Sequence, residues 1–231
     1  MMLVCPGVSV NRGTGTRSKR AYRSPLREQN ARRTRQAVVA AATRLFVERG
    51  YAATSLASIA AAADVARPTA FAAFGSKLAL LREALDQALA GDDEAVPVAR
   101  RPWFQPVWEA ANPGAALDAY AQACRLINGR AAPLFEVVRR AADEGPDVRE
   151  LWETLQRNRR VGAAMVVTHL ATLAAPPPGW DQERATDAFW IFNDPAHFDA
   201  LVNQRGWTER EYADWTADQM RHALGIGRHD P

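Results

Sequence analysis

Cysteine is almost absent from this chain: Cys5 and Cys124 are the two in 231 residues. Two thiols so far apart build no disulfide framework and no zinc spacing, which predicts a reducing, cytoplasmic setting. No apolar run approaches the ~20 residues of a membrane span, so no membrane partner is expected. The opening MMLVCPGVSV lacks the positive n-region of a secretory signal. Catalytic signatures are missing as well. There is no Gly-rich phosphate loop and no nucleophile elbow, and His169, His197, His222 and His229 fall outside any paired metal spacing. The carboxylates Asp92-Asp93-Glu94 and Asp143-Glu144 sit in loop-like stretches and read as solvated or capping charges. No catalytic residue, cofactor or metal is expected, and the chain does not read as an enzyme. Strand alternation and internal repeats are lacking too, which leaves an all-α class.

The composition is globular, 48% apolar and 24% charged, and the length allows one large or two small domains with sizeable cores. The net charge of +3 is unevenly spread. Between Asn11 and Arg35 lie nine bases against one acid, Glu28, so the rest of the molecule is net acidic. A basic arm over residues 1–30, read as disordered, joined to an acidic body suits a polyanion bound at one end. For residues 1–24 a solvated tail or a start codon placed too far upstream reads as well as a functional arm. From Arg27 to Arg35 the bases abut the first helix, which makes Arg33 a candidate for phosphate or minor-groove contact.

Residues 55–81, SLASIAAAADVARPTAFAAFGSKLALL, read as two short helices, a tight turn between them and a bracing helix after. Thr54 is placed to cap a helix in which Leu56, Ile59, Ala60 and Ala63 recur at helical spacing. Asp64 and Val65 make the turn. The second helix opens at Arg67, with Pro68 in its first turn where a missing N–H costs nothing. Phe71 and Phe74 are expected to bury its inner face, and Gly75-Ser76 stops it and caps the next helix. Such a unit can lay its second helix in a DNA major groove. Val38, Val39, Ala42, Leu45 and Phe46 stripe a preceding helix that ends at Gly50; Leu78, Leu81, Leu85 and Leu89 stripe a following one that stops near Gly91.

Candidate DNA contacts follow from this placement. Arg67 stands at the exposed helix start, where a guanidinium can bind guanine bidentately for about 1–3 kcal/mol of discrimination. The alternative is a solvated cation, which the helix dipole disfavours at that end. Thr69 can donate to phosphate or touch a thymine methyl; Pro68, Ala70, Ala72 and Ala73 offer apolar contact at most. Thr54 and Ser55 are caps first and phosphate contacts second. Lys77, beside the Ser76 cap, can pair a phosphate at a helix start whose N–H groups point the same way.

The run VARPTAFAAFGSKLALL resembles the recognition-helix signature of TetR-family transcriptional regulators, and TRQAVVAAATRLFVERGYAATSLASIA is similar to that family's first two helices. The resemblance covers about residues 34 to 89. Departures lie at Phe71, Ala72 and Ala73, where the family often carries Tyr and His or Tyr, and at Ala66, where it often carries Ser. They imply a recognition helix poor in polar contacts.

Further on, GDDEAVPVARRPWFQPVWEAANPG breaks the periodicity and reads as a linker or irregular loop. Leu117, Tyr120, Cys124 and Ile127 form one helical stripe, and Leu134, Phe135, Val138 and Ala141 another. Pro146 opens a long helix carrying Trp152, Leu155, Met165 and His169, which AAPPPGW ends. Segments 181–192, 195–204 and 208–224 follow, the last opened by a Thr208/Glu211 capping box. Tyr120, Cys124, Phe135, Trp152, Leu155 and Met165 are candidates to line a mostly apolar cavity for a small molecule, against plain core as the simpler reading. Phe189, Trp190, Phe192, Tyr212 and Trp215 form two aromatic stripes, and large apolar faces of this kind often mark an oligomer interface. The carboxyl-terminal run from Asp187 to Leu224 also resembles the end of many TetR-like regulators, where the matching helices pack on a second subunit.

Taken with the resemblance, the expected organisation is a basic arm (residues 1–30), a three-helix helix-turn-helix DNA-binding domain (31–90) and an α-helical ligand-binding and dimerisation domain (91–231). The resemblance implies a homodimeric regulator of double-stranded DNA, a repressor released from a pseudo-palindromic operator by a small-molecule effector. An activator remains open. So do a ligand-binding or scaffold protein whose DNA contacts have decayed, and a sequence-blind nucleoid binder.

Overall fold

The computed structural model describes residues 25–225. The bases from Arg12 to Arg23, and His229, lie outside the described residues. Every regular element among the described residues is helical. The first, α1 (Pro25–Ala53), begins inside the expected arm, so Arg27, Arg32, Arg33 and Arg35 stand on a helix rather than on an extended strap. Its regular part ends at Gly50, whose φ of 80° turns the chain into one last turn before α2. Helix α2 (Leu56–Ala62) and α3 (Arg67–Phe74) meet through Asp64, held at a positive φ of 54°, and α4 (Lys77–Ala90) follows. Ser76 caps α4, and Gly91 ends it in the left-handed region that glycine adopts most cheaply.

One expectation about caps is corrected. Ser55, not Thr54, caps α2, in a reciprocal box with Ser58. Thr54 is buried, and its hydroxyl lies 2.8 Å from the Gly50 carbonyl oxygen and 3.1 Å from that of Leu45. It ties off the end of α1.

The segment after Gly91 is ordered rather than loose. The guanidinium of Arg101 is almost fully buried and donates to Asp92, to the Glu94 carbonyl and to the Val96 carbonyl. Asp93 meanwhile accepts from Arg32 and Gln36 of α1. Phe104 and Val107, on a short turn and on α5 (Gln105–Trp108), drop into the core.

Helix α6 (Pro113–Ala141) joins the two expected stripes into one element that runs through Pro133. The carbonyl that proline leaves without a partner belongs to Gly129, where the Phe198 ring packs so closely that an added Cβ would sit 3.4 Å from it. Helix α7 (Pro146–Leu173) is the predicted long helix. Then come α8 (Gln182–Phe192), α9 (Pro195–Phe198) continued by a wide π-type turn over Asp199–Gln204, and α10 (Glu209–Ala223) behind its Thr208/Glu211 box.

The core does not divide at residue 90. Val38, Phe46, Ile59, Leu80 and Leu85 of the first four helices pack in one cluster with Leu134, Val138, Leu151 and Leu155 of α6 and α7. A second cluster joins α5, α6, α7, α8 and α10 around Phe104, Leu117, Val166, Phe189 and Met220. Helix α4 therefore belongs to the helix-turn-helix and to the body at once.

Candidate nucleic-acid interface and effector cavity

Along α3 the side chains sort by phase. Arg67, Pro68, Thr69, Phe71 and Ala72 are exposed, Ala73 is half-buried, and Ala70 is wholly buried against the core. Ala70 is thus removed from the candidate contacts, as Thr54 is, because neither can reach a ligand. Phe71 moves the other way: expected inside, it is 59% exposed, and the inward position is taken by Ala70. An exposed face of Arg67, Thr69, Phe71 and Ala72 offers one guanidinium, one hydroxyl and an aromatic plane. Ser55 is exposed at the start of α2, with its hydroxyl engaged in the cap with Ser58.

Two cations that sequence reasoning placed alike behave differently. Arg33 is exposed on α1 and makes no ion pair or side-chain hydrogen bond among the described residues. Lys77 is tied down: its Nζ donates to the Tyr51 carbonyl at 2.8 Å and lies 3.9 Å from the centroid of the Tyr51 ring. Partial burial there lowers its pKa. It holds the α4 start against the end of α1.

Arg35 was not singled out in the sequence, yet it fixes α3. Its guanidinium lies 4.5 Å from the Phe74 ring centroid, donates to the Ala73 carbonyl at 2.8 Å and pairs with Glu83 of α4 at 3.3 Å. One side chain of α1 thereby satisfies the end of α3 and ties it to α4. The signal was a basic residue one turn before the apolar stripe, indistinguishable in sequence from its solvated neighbours.

Beneath α4 lies a cavity of about 400 Å³, within the ~300–1,000 Å³ of small-molecule sites. Tyr120, Cys124, Phe135, Leu155 and Met165, five of the six candidates, are brought together on its wall. Trp152 is not: it packs edge-on to Phe135 at 6.5 Å, on the side facing the first cluster. Burial pushes the Cys124 thiol up to about 12 and the Tyr120 phenol well above its usual value, so both are neutral donors or acceptors there. The Tyr120 hydroxyl accepts from Asn193, and Asn128 donates to the Tyr212 hydroxyl. Arg159, nine-tenths buried, pairs with Asp194 at 2.8 Å and donates to the Trp190 carbonyl and the Asn193 side chain. Burial lowers its pKa and Asp194 opposes that. Asp86 and Leu89 of α4 complete the wall, so the helix that braces α3 also lines the cavity.

Two of the five expected interface aromatics do not lie at the surface. Phe189 stacks on Tyr120 at 6.0 Å and is wholly buried, and so is Tyr212, edge-on to Phe198. Trp190, Phe192 and Trp215 are half-buried, Phe192 against Trp215. Phe189 and Tyr212 fill the subunit's own core, while Trp190, Phe192 and Trp215 keep part of their surface. The large apolar side chains left open in this region are Val161 and Met165 on α7 and Ile191 on α8.

Residues 38–84 match the family model described as bacterial regulatory proteins, tetR family. No curated protein matches the sequence at a significant level. Among solved structures, the chain is similar to a protein described as a TetR-family transcriptional regulator from Mesorhizobium loti. The TM-score is 0.61 at 18% identity, over 85% of this chain and 97% of that one. It is similar also to a transcriptional regulator from Pseudomonas aeruginosa (0.59, 16% identity, 86% and 91%) and to the ketosteroid transcriptional regulator KstR2 of Mycobacterium tuberculosis (0.53, 17% identity, 83% and 93%). At such identities the likeness is one of fold, and it extends past the matched helices into α6–α10. Residues 38–84 thus carry the helix-turn-helix of the bacterial regulatory proteins of the tetR family, and the helices that follow share the fold of these solved regulators.

Proposed function

We propose that this protein is a homodimeric repressor that reads a pseudo-palindromic operator with α3 and leaves it when a small molecule enters the cavity under α4. The observation that carries the reading is the double membership of α4: Leu80, Leu81 and Leu85 hold the helix-turn-helix core while Asp86 and Leu89 line the cavity. A molecule seated there releases DNA if it binds the arrangement with misplaced reading helices more tightly than the DNA-competent one. Arg67, Thr69, Ser55, Ala72, Ala73 and Pro68 are the proposed contact face, with Phe71 added and Arg33 on the flanking phosphates. Residues 31–90 act as the reader, and the helices from α5 onward as the effector and dimer module. The dimer is assigned to the exposed side of α7 and α8, because Ile191 is open there and Val161 and Met165, at the rim of the cavity, are open beside Arg157 and Arg160. Two copies then present their α3 helices to major grooves about one turn (~34–36 Å), or a small multiple, apart.

A second reading has its own observation. Ala66, Ala72 and Ala73 leave α3 with few polar groups, as a ligand-binding or scaffold protein with decayed DNA contacts would have. Fluorescence anisotropy on DNA from immediately upstream of the gene, against a scrambled duplex at ~0.15 M salt, separates the two, since specific binders gain ~10³-fold or more. A large preference that Arg67→Ala weakens supports the repressor reading. Flat, weak binding on this and other candidate operators, with ligand binding retained, supports the other.

A further inference from the structure

Two charged side chains line the cavity, Arg159 and Asp86, and they are satisfied differently. Arg159 is neutralised by Asp194 at 2.8 Å, and its two terminal nitrogens are otherwise occupied by Gln156, the Trp190 carbonyl and Asn193, while its Nε has no partner among the described residues. Asp86 is different: it lines the same cavity and its carboxylate accepts no hydrogen bond and joins no ion pair among the described residues. Arg82, one turn earlier on α4, lies outside ion-pair distance, and the neighbouring Glu83 is already held by Arg35 and Gln87. Asp86 is exposed at the rim of the cavity, where partial burial and then the neighbouring Glu83 raise its carboxyl pKa against the pull of Arg82. The walls around it are aromatic. Phe104, Trp108, Tyr120 and Phe135 all face the cavity, and ring faces attract a cation where they repel an anion.

We propose that the effector of this cavity is a lipophilic cation, an amine with an apolar body, whose charge is received by Asp86 of α4. The inference rests on the cavity being an effector site, and it names the chemistry that site selects. A second carboxylate brought here would meet the like charge of Asp86 without compensation. A protonated amine satisfies both the carboxylate and the rings. The same contact gives the ligand a grip on the reader: Asp86 is one turn from Glu83, Glu83 pairs with Arg35, and Arg35 holds the Ala73 carbonyl of α3. A cation that draws Asp86 into the cavity acts on the helix that sets where α3 stands.

The test uses the full chain and three probes of one length below their aggregation limits: decylamine, decanol and decanoic acid. Binding is read by calorimetry, with the intrinsic tryptophan fluorescence of the chain as a second signal. The expected order is decylamine tightest and decanoic acid weakest. In Asp86→Asn, nearly the same shape without the charge, decylamine falls by about tenfold while decanol is unchanged. Retained decanol binding shows that the variant is folded and its cavity intact. Decanoic acid binding as well as decylamine, an unchanged decylamine-to-decanol ratio in Asp86→Asn, or no binding of any probe would each overturn the proposal. DNA release is read separately. If decylamine binds with the Asp86-dependent preference but the protein never prefers any DNA, it is the repressor reading that falls and the ligand class that stands.

Discussion

The guanidinium of Arg35 stacks over Phe74 at 4.5 Å while donating to the carbonyl of Ala73, so a residue of α1 closes the carboxyl end of α3. Helix α3 has only eight residues, is capped by no side chain at its start and buries Ala70 alone. Its orientation depends on such outside holds. Replacing Arg35 by Met keeps apolar bulk and removes the charge and the donors. A solvent-facing cation–π contact and one hydrogen bond are worth about 0.5–1.5 kcal/mol each, so the melting temperature should drop only slightly. Affinity for specific DNA should fall by about tenfold, because the reading face is no longer held in one place. Anisotropy beside a thermal melt checks this, and unchanged affinity would sink the role.

Thr54 and Ser55 are adjacent, both hydroxylated, and do different work. Ser55→Ala removes a helix cap and should cost about 1 kcal/mol. Thr54→Val keeps the shape but leaves the Gly50 and Leu45 carbonyls without their buried donor, which should cost about 1–3 kcal/mol. Denaturant unfolding of the two variants should therefore rank Thr54→Val as the more damaging. The reverse ranking would return the cap to Thr54.

How far the sequence was legible depends on how local the physics was. Stops and starts with their own chemistry were readable: Gly91 in the left-handed region, Pro146 opening α7, and the Thr208/Glu211 box opening α10. Neighbouring equivalents were not, and Thr54 and Ser55 were exchanged because either can cap. Phase failed where the helix was short. Over eight residues Phe71 and Phe74 mark a face, but only the packing of Ala70 against the core decides that Phe71 points out. Periodicity also reports that a stripe is buried without reporting against what. Phe189 and Tyr212 read as an interface, and they face Tyr120 and Phe198 of their own subunit. The stripes on either side of Pro133 belong to one helix, α6, which runs through it. Asp86 sits beside the leucine stripe of α4, where an acid is usually solvated; its place on the cavity follows from α6 and α7, which no local pattern encodes.

Asp93 gives the fold an acid-sensitive latch. The Arg32 guanidinium and Gln36 hold its carboxyl well below the ordinary 3.8, at about 2, while tying the loop after α4 to α1. Because the folded value is depressed, the stabilisation is complete above 3.8 and is lost as the pH falls through about 2. Asp93→Asn should melt below the wild type by a constant margin at neutral and mildly acidic pH. That margin should close between 3.8 and about 2. A margin unaltered across that range would mean that the ion pair contributes nothing and that only the shape of the side chain matters.

Phe71 tests whether α3 reads DNA with apolar contact. At 59% exposure it touches little of its own protein, so Phe71→Ala should leave stability within about 0.5 kcal/mol. If the ring lies against thymine methyls or sugar edges, specific affinity should fall by about tenfold, while the steep loss of binding with salt stays the same, because no phosphate contact has been removed. Phe71→Tyr adds back a hydroxyl that can reach a phosphate. It should hold or raise affinity and steepen the salt dependence by roughly one contact's worth. A salt titration of the wild type and both variants on one duplex separates these effects. Should Phe71→Ala bind as tightly as the wild type while Arg67→Ala does not, the reading would be confined to the amino-terminal turn of α3.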